Sequence, residues 1–275
     1  MNFKALVSIG LSLAIVLLGA NTSVYASEKP VSEVIKDTSD IYTKEGELLG
    51  TVSKTHNVTV NEKAEGTRTT VITFSDYTLL PEYADDINYT SVFKDETITT
   101  DIYFDNTNKK IIVDGEDLDV NALVSASDNI QKIQPLNDTG GIPAICHYYS
   151  NSALSSYSFG CYESMNYNWI GNGNGQGEPE GRNIQKVGIK SSSQFAVAKN
   201  GVDLFDNGYA SFRQAYAVTL AAAATAGWSG IIWAWSPVGW IVGASPVAAS
   251  AGVTISNFNS AKSQLGKAFM YINVL

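Results

Sequence analysis

The sequence predicts an α+β protein: an N-terminal β-rich acidic module, a disulfide-tied aromatic segment, and a C-terminal apolar helical hairpin. Three observations predict this order: alternating β-branched residues in the first half, a single pair of cysteines, and a long uncharged stretch near the C-terminus. The chain has 275 residues, of which 44% are hydrophobic and 16% charged. It can therefore bury a core and is neither disordered nor fibrous.

The first 26 residues have the organisation of a cleaved export signal. Lys4 supplies the positive start, residues 5–20 are apolar, and Val24-Tyr25-Ala26 ends in a small residue that signal peptidase accepts. We therefore expect a secreted, extracellular bacterial protein whose mature chain begins at Ser27.

Charge is distributed unevenly along the mature chain. Residues 27–138 contain 22 acidic and 10 basic residues, whereas residues 139–275 contain 5 acidic and 7 basic residues. This division predicts two modules that complement each other electrostatically, with compositional drift as the alternative. The Gly- and Pro-containing stretch Ile133–Pro143 marks the expected joint. A net charge of -9 argues against nucleic acid as a partner.

Residues 27–138 contain the strand signals. Val58–Val60 and Thr69–Phe74 alternate apolar and polar residues, which is typical of half-buried strands. Thr97–Phe104 and Lys110–Val113 predict a hairpin, because the polar residues between them tolerate a turn. Residues 28–48 indicate only a short helix or a loose lead-in.

The run Asp114–Asp119 is crowded with carboxylates. We expect a solvated turn there. A calcium site is the alternative, but the run lacks the ligand order and terminal glutamate of an EF-hand loop.

Residues 139–190 form the aromatic, Asn/Gly-rich segment. Fourteen residues separate Cys146 from Cys161, and in an exported protein this pair predicts a disulfide worth about 3 kcal/mol. The neighbouring tyrosines either fill a thin β core or stack on sugars or lipid headgroups. The glycine-rich run Gly171–Gly177 is typical of a flexible loop rather than a nucleotide site.

Residues 191–275 are expected to be helical, with an apolar hairpin over residues 215–257. No charged residue occurs in the 48 positions between Arg213 and Lys262. Ser236-Pro237 divides the stretch into Tyr216–Trp235 and Val238–Asn257, since proline interrupts a helix. Each half has 20 residues and would span about 30 Å, the thickness of a bilayer core.

The hairpin is rich in small residues, with Ala, Gly or Ser at 21 of the 41 positions from Ala215 to Ile255. Their spacing of about four predicts close helix packing, as in small-xxx-small motifs. The predicted packing positions are Ala222, Ala226, Gly230, Ala234, Gly239, Gly243, Ala248 and Gly252. Four tryptophans flank the turn, where they suit a membrane interface. The predicted membrane-interaction residues are Trp228, Trp233, Trp235, Pro237 and Trp240.

Three interpretations of the hairpin remain: a soluble core that later inserts into a membrane, a purely structural core, and a permanent membrane anchor. Gln194–Gln214 predicts one or two amphipathic helices leading into it, and Pro246 predicts a kink within its second half. Ala261–Leu275 is either an interfacial helix or a closing element of the core.

The sequence contains no recognisable catalytic, metal-binding or cofactor-binding motif, so we expect no enzyme and no cofactor. His147 with Cys161 is the one candidate thiol dyad, but Cys146 is available as a disulfide partner.

This layout, and the stretch Tyr216–Asn257 above all, resembles the large unmodified secreted bacteriocins of the geobacillin-26-like family. The resemblance implies antibacterial activity, which we expect to come from insertion of the hairpin and permeabilisation of target membranes. The expected partner is target-cell lipid, with a surface receptor, an immunity protein and oligomers on the membrane as further options. The alternative is a secreted cell-surface glycan-binding or adhesion protein in which aromatic residues from Tyr148 to Trp169 contact glycan and the hairpin is only a structural core.

Overall fold

The computed structural model describes residues 30–63, 65–105, 108, 110–118, 145–150, 156–166, 179–190, 192–225 and 245–275. These residues form an α+β fold of two antiparallel sheets and two long helices, as the sequence predicts. The expected signal segment, the joint Ile133–Pro143, the run Gly171–Gly177 and the hairpin turn lie outside the described residues.

The larger sheet has six strands in sequential order. They are β1 (Val31–Tyr42), β2 (Leu48–Lys63), β3 (Gly66–Leu79), β4 (Glu96–Asp105), β5 (Lys110–Val113) and β6 (Glu116–Leu118). The predicted strands around Val58–Val60 and Thr69–Phe74 lie within β2 and β3. The predicted hairpin is confirmed, with Ile102 opposite Val113. Two short helices, α1 (Pro81–Ala84) and α2 (Ile87–Thr90), connect β3 to β4.

Two expectations for this half are wrong. Residues 28–48 are not a helix or loose lead-in, because Val31–Tyr42 forms the edge strand β1. Its inward positions include the polar residues Asp37 and Ser39, so the apolar alternation that identifies a strand is weak. The acidic run is not a loop throughout: Asp114 and Gly115 have positive φ and form a two-residue turn that leads into β6.

The smaller sheet has three strands, β7 (Cys146–Ser150), β8 (Ser156–Met165) and β9 (Pro179–Ile189). Cys146 lies directly opposite Cys161 in the β7–β8 ladder, and the two are disulfide-bonded, which confirms the predicted pairing. Tyr148 and Phe159 are buried, so these aromatic residues belong to the core.

The two long helices are α3 (Ser193–Thr225) and α4 (Ser245–Asn273). The expected lead-in Gln194–Gln214 is part of α3, which continues without interruption past Tyr216. Likewise α4 does not end at Asn257 but continues through the tail, whose residues Leu265, Ala268 and Ile272 are fully buried. The tail is therefore a closing element of the core.

The described part of α4 begins at Ser245, directly before Pro246, so the kink at Pro246 stays a prediction.

One hydrophobic core joins parts of the chain on both sides of the expected joint. Ile102 and Val113 of the larger sheet share it with Phe159 of the smaller sheet and with Phe212 and Phe258 of the long helices. Both sheets therefore pack against the helical pair.

Candidate functional site

The surface of α4 that faces the larger sheet is unusually polar. Burial of an amphipathic helix normally hides an apolar stripe. On α4, however, several polar side chains are fully or almost fully buried. They are Thr254, Ser256, Asn257, Ser260 and Gln264. Opposite Ser256 and Asn257 the sheet presents Thr73 and Lys54, with His56 beside them, all buried, whereas the Thr254 hydroxyl faces α3. We call Lys54, His56, Thr73, Ser256 and Asn257 the polar layer.

Lys54 is the buried charge of this layer. Its side chain points inward from β2, and Nζ donates a 2.7 Å hydrogen bond to Asn257 Oδ1 on α4. Burial lowers the pKa of Lys54 to about 8, although Asp37 and Glu96 favour the charged form. Keeping an ammonium group beneath the helix at neutral pH therefore costs stability.

A chain of polar groups runs beside Lys54 from the sheet to the helix. His56 Nε2 lies 3.6 Å from Asp37 Oδ1, and His56 Nδ1 and Thr73 Oγ1 share a 2.8 Å hydrogen bond. Thr73 Oγ1 and Ser256 Oγ are 2.6 Å apart. The order of carboxylate, imidazole and hydroxyl resembles that of a hydrolase triad. However, Thr73 is 1% exposed and Ser256 is fully buried, so no substrate reaches these hydroxyls. These hydrogen-bonded side chains attach α4 to the larger sheet.

Several polar atoms near the layer lack partners. Thr69 Oγ1, Ser260 Oγ and Gln264 Oε1 are buried without a hydrogen-bond partner among the described residues. Each such group costs about 1–3 kcal/mol relative to a solvated one. The contact between α4 and the sheet is consequently weaker than an apolar contact of the same area would be.

Charge is divided asymmetrically across this contact. The sheet contributes the ionisable groups Lys54, His56 and Asp37, whereas α4 contributes hydroxyls and an amide. From Ser245 to Ala261 the helix has no charged residue. This part of α4 could leave the sheet without carrying a charge with it.

The charged residues of α4, Lys262 and Lys267, lie in its C-terminal part. Lys267 Nζ pairs with Glu96 at 2.7 Å, and Lys262 Nζ approaches Glu116 at 3.7 Å. These ion pairs hold the C-terminal part of α4 on the larger sheet.

The N-terminal part of α3 is held by a network of Glu45, Tyr148, Lys199 and Asp203, which we call the base cluster. Lys199 Nζ pairs with Glu45 at 3.1 Å and with Asp203 at 3.2 Å. The Tyr148 hydroxyl donates to carboxylate oxygens of Glu45 and Asp203, at 2.8 and 2.9 Å. Burial raises the pKa of Asp203. Together with the pairs of Lys267 and Lys262, this cluster connects residues 27–138 to residues 139–275 through ion pairs.

The two long helices pair in antiparallel fashion. A Cβ at Gly201 would lie 2.7 Å from the ring of Tyr271, and the rings of Phe212 and Phe258 are 5.3 Å apart. Further along, the hydroxyls of Thr219 and Thr254 share a 2.8 Å hydrogen bond. The charged ends of both helices therefore lie together at one end of the pair, and their uncharged segments lie together at the other.

Most of the predicted hairpin residues lie outside the described part of the structure. These are Trp228, Trp233, Trp235, Pro237 and Trp240, with Ala226, Gly230, Ala234, Gly239 and Gly243. The backbone is helical at Ala222 and Ala248. Gly252 lies against β3, where an added Cβ would be 3.0 Å from Val71 Cγ2. Its lack of a side chain permits close approach of α4 to the sheet.

Among the described residues, no group of His, Cys, Asp and Glu side chains is arranged to hold a metal ion. In the acidic run, Asp117 pairs with Lys110 at 2.6 Å, and Asp114 accepts a 2.6 Å hydrogen bond from Asn259 Nδ2. These carboxylates are used in contacts within the protein.

None of the helices in the described residues combines the length and the hydropathy needed to cross a membrane.

Sequence reasoning missed the polar layer. One sign in the sequence was the polar residues Thr254, Ser256 and Asn257 inside an uncharged segment. The other was Lys54 and His56, which continue the alternate positions of Val58 and Val60 in the same strand. Each half of this signal is ordinary alone, and only the fold brings them together.

Comparison with known proteins found no matching family model, no matching curated protein and no matching solved structure.

Proposed function

We propose that this is a secreted antibacterial protein that permeabilises target membranes by inserting the uncharged end of its α3–α4 pair, including the turn between the helices. The observation that carries the proposal is the segregation of charge along the antiparallel pair. Beyond Arg213 in α3 and before Lys262 in α4 no charge occurs, and the contact Thr219–Thr254 belongs to this uncharged end.

The pairing register supports a hairpin with its turn at the expected point. In each of the contacts Gly201–Tyr271, Phe212–Phe258 and Thr219–Thr254, the two residues are about equally far in sequence from residue 236. A continuous hairpin in this register would turn at Ser236-Pro237, with tryptophans on both sides. Tryptophans at a hairpin tip suit first contact with the lipid headgroup layer.

The polar layer supports storage of the hairpin in a soluble form. It covers an otherwise apolar helix pair, while its buried Lys54 and unpartnered polar atoms limit how tightly α4 is held. Since the ionisable groups stay on the sheet, release of the helix leaves no charge to be buried in lipid.

The proposal is tested with Ser236→Asp. We expect a carboxylate at the predicted turn to be solvated in the stored form, whereas moving it through a bilayer costs about 3 kcal/mol or more. We expect normal secretion and melting, with strongly reduced dye release from anionic liposomes and reduced growth inhibition.

Ser53→Asp is the matched control, since it places the same charge on the exposed outer face of β2. We expect it to retain wild-type dye release. If folded Ser236→Asp releases dye at wild-type concentrations, the tip does not cross the bilayer and the hairpin is only core.

A further inference from the structure

The outer face of the three-stranded sheet contains a groove. Two outward-facing rows cross the strands, His147–Gly160–Gln185 and Tyr149–Ser158–Val187. The central strand β8 contributes the small residues Gly160 and Ser158, while the flanking strands contribute larger ones. The imidazole of His147 lies over Gly160, so the open floor of the groove is at Ser158.

This groove has a volume of about 440 Å³, and its lining includes His147, Ser158, Gly160, Gln185 and Val187. A small-molecule site typically has about 300–1,000 Å³. Gly160 is needed for the shape: an added Cβ would lie 2.8 Å from His147 Cε1, so a larger residue would displace the imidazole ring.

Tyr149 is an exposed aromatic residue beside the groove, in the same outward-facing row as Ser158 and Val187. Its side chain is 61% exposed, although tyrosine ordinarily contributes to a core. The imidazole of His147 packs at 4.8 Å between ring centroids, and Lys44 Nζ lies 5.4 Å from the Tyr149 ring centroid. These contacts with His147 and Lys44 limit the freedom of the ring, so little entropy is lost when a ligand stacks on its exposed part.

We infer that this groove binds a neutral oligosaccharide, with a sugar ring stacked on Tyr149 and its hydroxyls hydrogen-bonded to Gln185, Ser158 and His147. Sugar rings have an apolar face for stacking and hydroxyl groups for bonding, which matches this mixture of side chains. The described residues that line the groove include Lys186 and no carboxylate, and Lys44 lies beside Tyr149.

This inference does not depend on membrane insertion, because no groove residue belongs to α3 or α4. In a secreted protein the groove would let the chain gather on a glycan-covered surface.

The test is retention of purified mature protein on three insoluble glycans: chitin, cellulose, and bacterial cell-wall sacculi stripped of anionic polymers. Chitin and sacculi present N-acetylated sugars, whereas cellulose presents plain glucose, so the pattern identifies the sugar type. We expect retention on at least one, competed by its soluble fragments. Tyr149→Ala should weaken retention by on the order of tenfold.

Two further variants make the test specific. Ser158→Arg fills the floor of the groove from an exposed position and should also abolish retention, while Phe74→Ala, on the other sheet, should leave it unchanged. Retention on none of the three glycans, or equal retention of Tyr149→Ala and wild type, overturns the inference. Dye release by Tyr149→Ala from glycan-free liposomes should stay at the wild-type level, which separates this result from the proposed function.

Discussion

The stability of this protein should rise with pH in the alkaline range because of Lys54. In the folded protein the pKa of Lys54 is about 8, against 10.5 for an ordinary lysine. Between these two values the unfolded chain binds a proton that the folded chain does not. Stability therefore increases as the pH rises from about 8 to 10.5. Below about pH 8 Lys54 is charged in both states, and the full destabilisation from burying its charge is present.

The size of this effect follows from the two pKa values. The gap between 10.5 and about 8 corresponds to about 3 kcal/mol. About 2.5 kcal/mol of it should be gained between pH 7 and pH 10. Lys54 is fully buried beneath α4, so solvent screening does not reduce this value.

The assay is urea unfolding of wild type and Lys54→Met at pH 7 and pH 10. Other groups titrate over the same range, but they contribute equally to both proteins. The free energy of unfolding of wild type, relative to Lys54→Met, should rise by about 2.5 kcal/mol from pH 7 to pH 10. Lys110→Met, which removes an exposed lysine, is the control and should give no comparable rise. A constant difference between wild type and Lys54→Met would refute the burial of Lys54 under the helix.

Three other outcomes are expected. Replacing Cys146 and Cys161 by serine should lower the free energy of unfolding by about 3 kcal/mol in urea denaturation, because the disulfide restricts the unfolded chain; a loss below about 1 kcal/mol would contradict this. Burial raises the pKa of Asp206 to about 8, so the folded protein loses stability as pH rises from about 4 to 8. The melting temperature of Asp206→Asn should therefore exceed that of wild type at pH 9 but not at pH 5. Limited proteolysis should cut first within residues 133–143, as a joint between modules predicts; first cuts confined to residues 171–177 would argue against that division.

Local patterns in the sequence were sufficient for several elements. The strands around Val58 and Thr69 and the hairpin after Thr97 followed from β-branched residues, alternation and turn residues, although the buried face of β3 carries Thr69 and Thr73. The disulfide followed from the number of cysteines and the expected export.

The missed elements depend on contacts between distant parts of the chain. Strand β1 is recognisable only through its pairing with β2, because Asp37 and Ser39 occupy inward positions where apolar residues are expected. The helix breaks predicted after Gln214 and Asn257 do not occur, because α3 and α4 continue through these positions. A change from charged to uncharged sequence alters what a helix contacts, not whether it continues.

The candidate site was hidden for the same reason. Ser256 and Thr73 are 183 positions apart in sequence, and nothing local indicates that their hydroxyls meet. Likewise, the need for a glycine at position 160 becomes visible only when β7 and β8 are paired, because the imidazole of His147 then lies over it.

The claim that α4 must leave the sheet for activity is tested most directly by locking it in place. Thr73 Oγ1 and Ser256 Oγ are 2.6 Å apart, so cysteines at these two positions are suitably close for a disulfide. The matched control is Thr38→Cys with Ser53→Cys, whose hydroxyls are 3.1 Å apart and which joins β1 to β2 without involving α4.

Dye release from anionic liposomes is measured for wild type, the helix lock and the strand lock, each oxidised and then reduced, with cysteine pairing checked by mass spectrometry. Wild type experiences the same reduction of its native disulfide and provides the baseline. We expect no release by the oxidised helix lock, recovery to the reduced wild-type level on reduction, and wild-type release by the strand lock throughout. Wild-type release by the oxidised helix lock would contradict it, since α4 would then act without leaving the sheet.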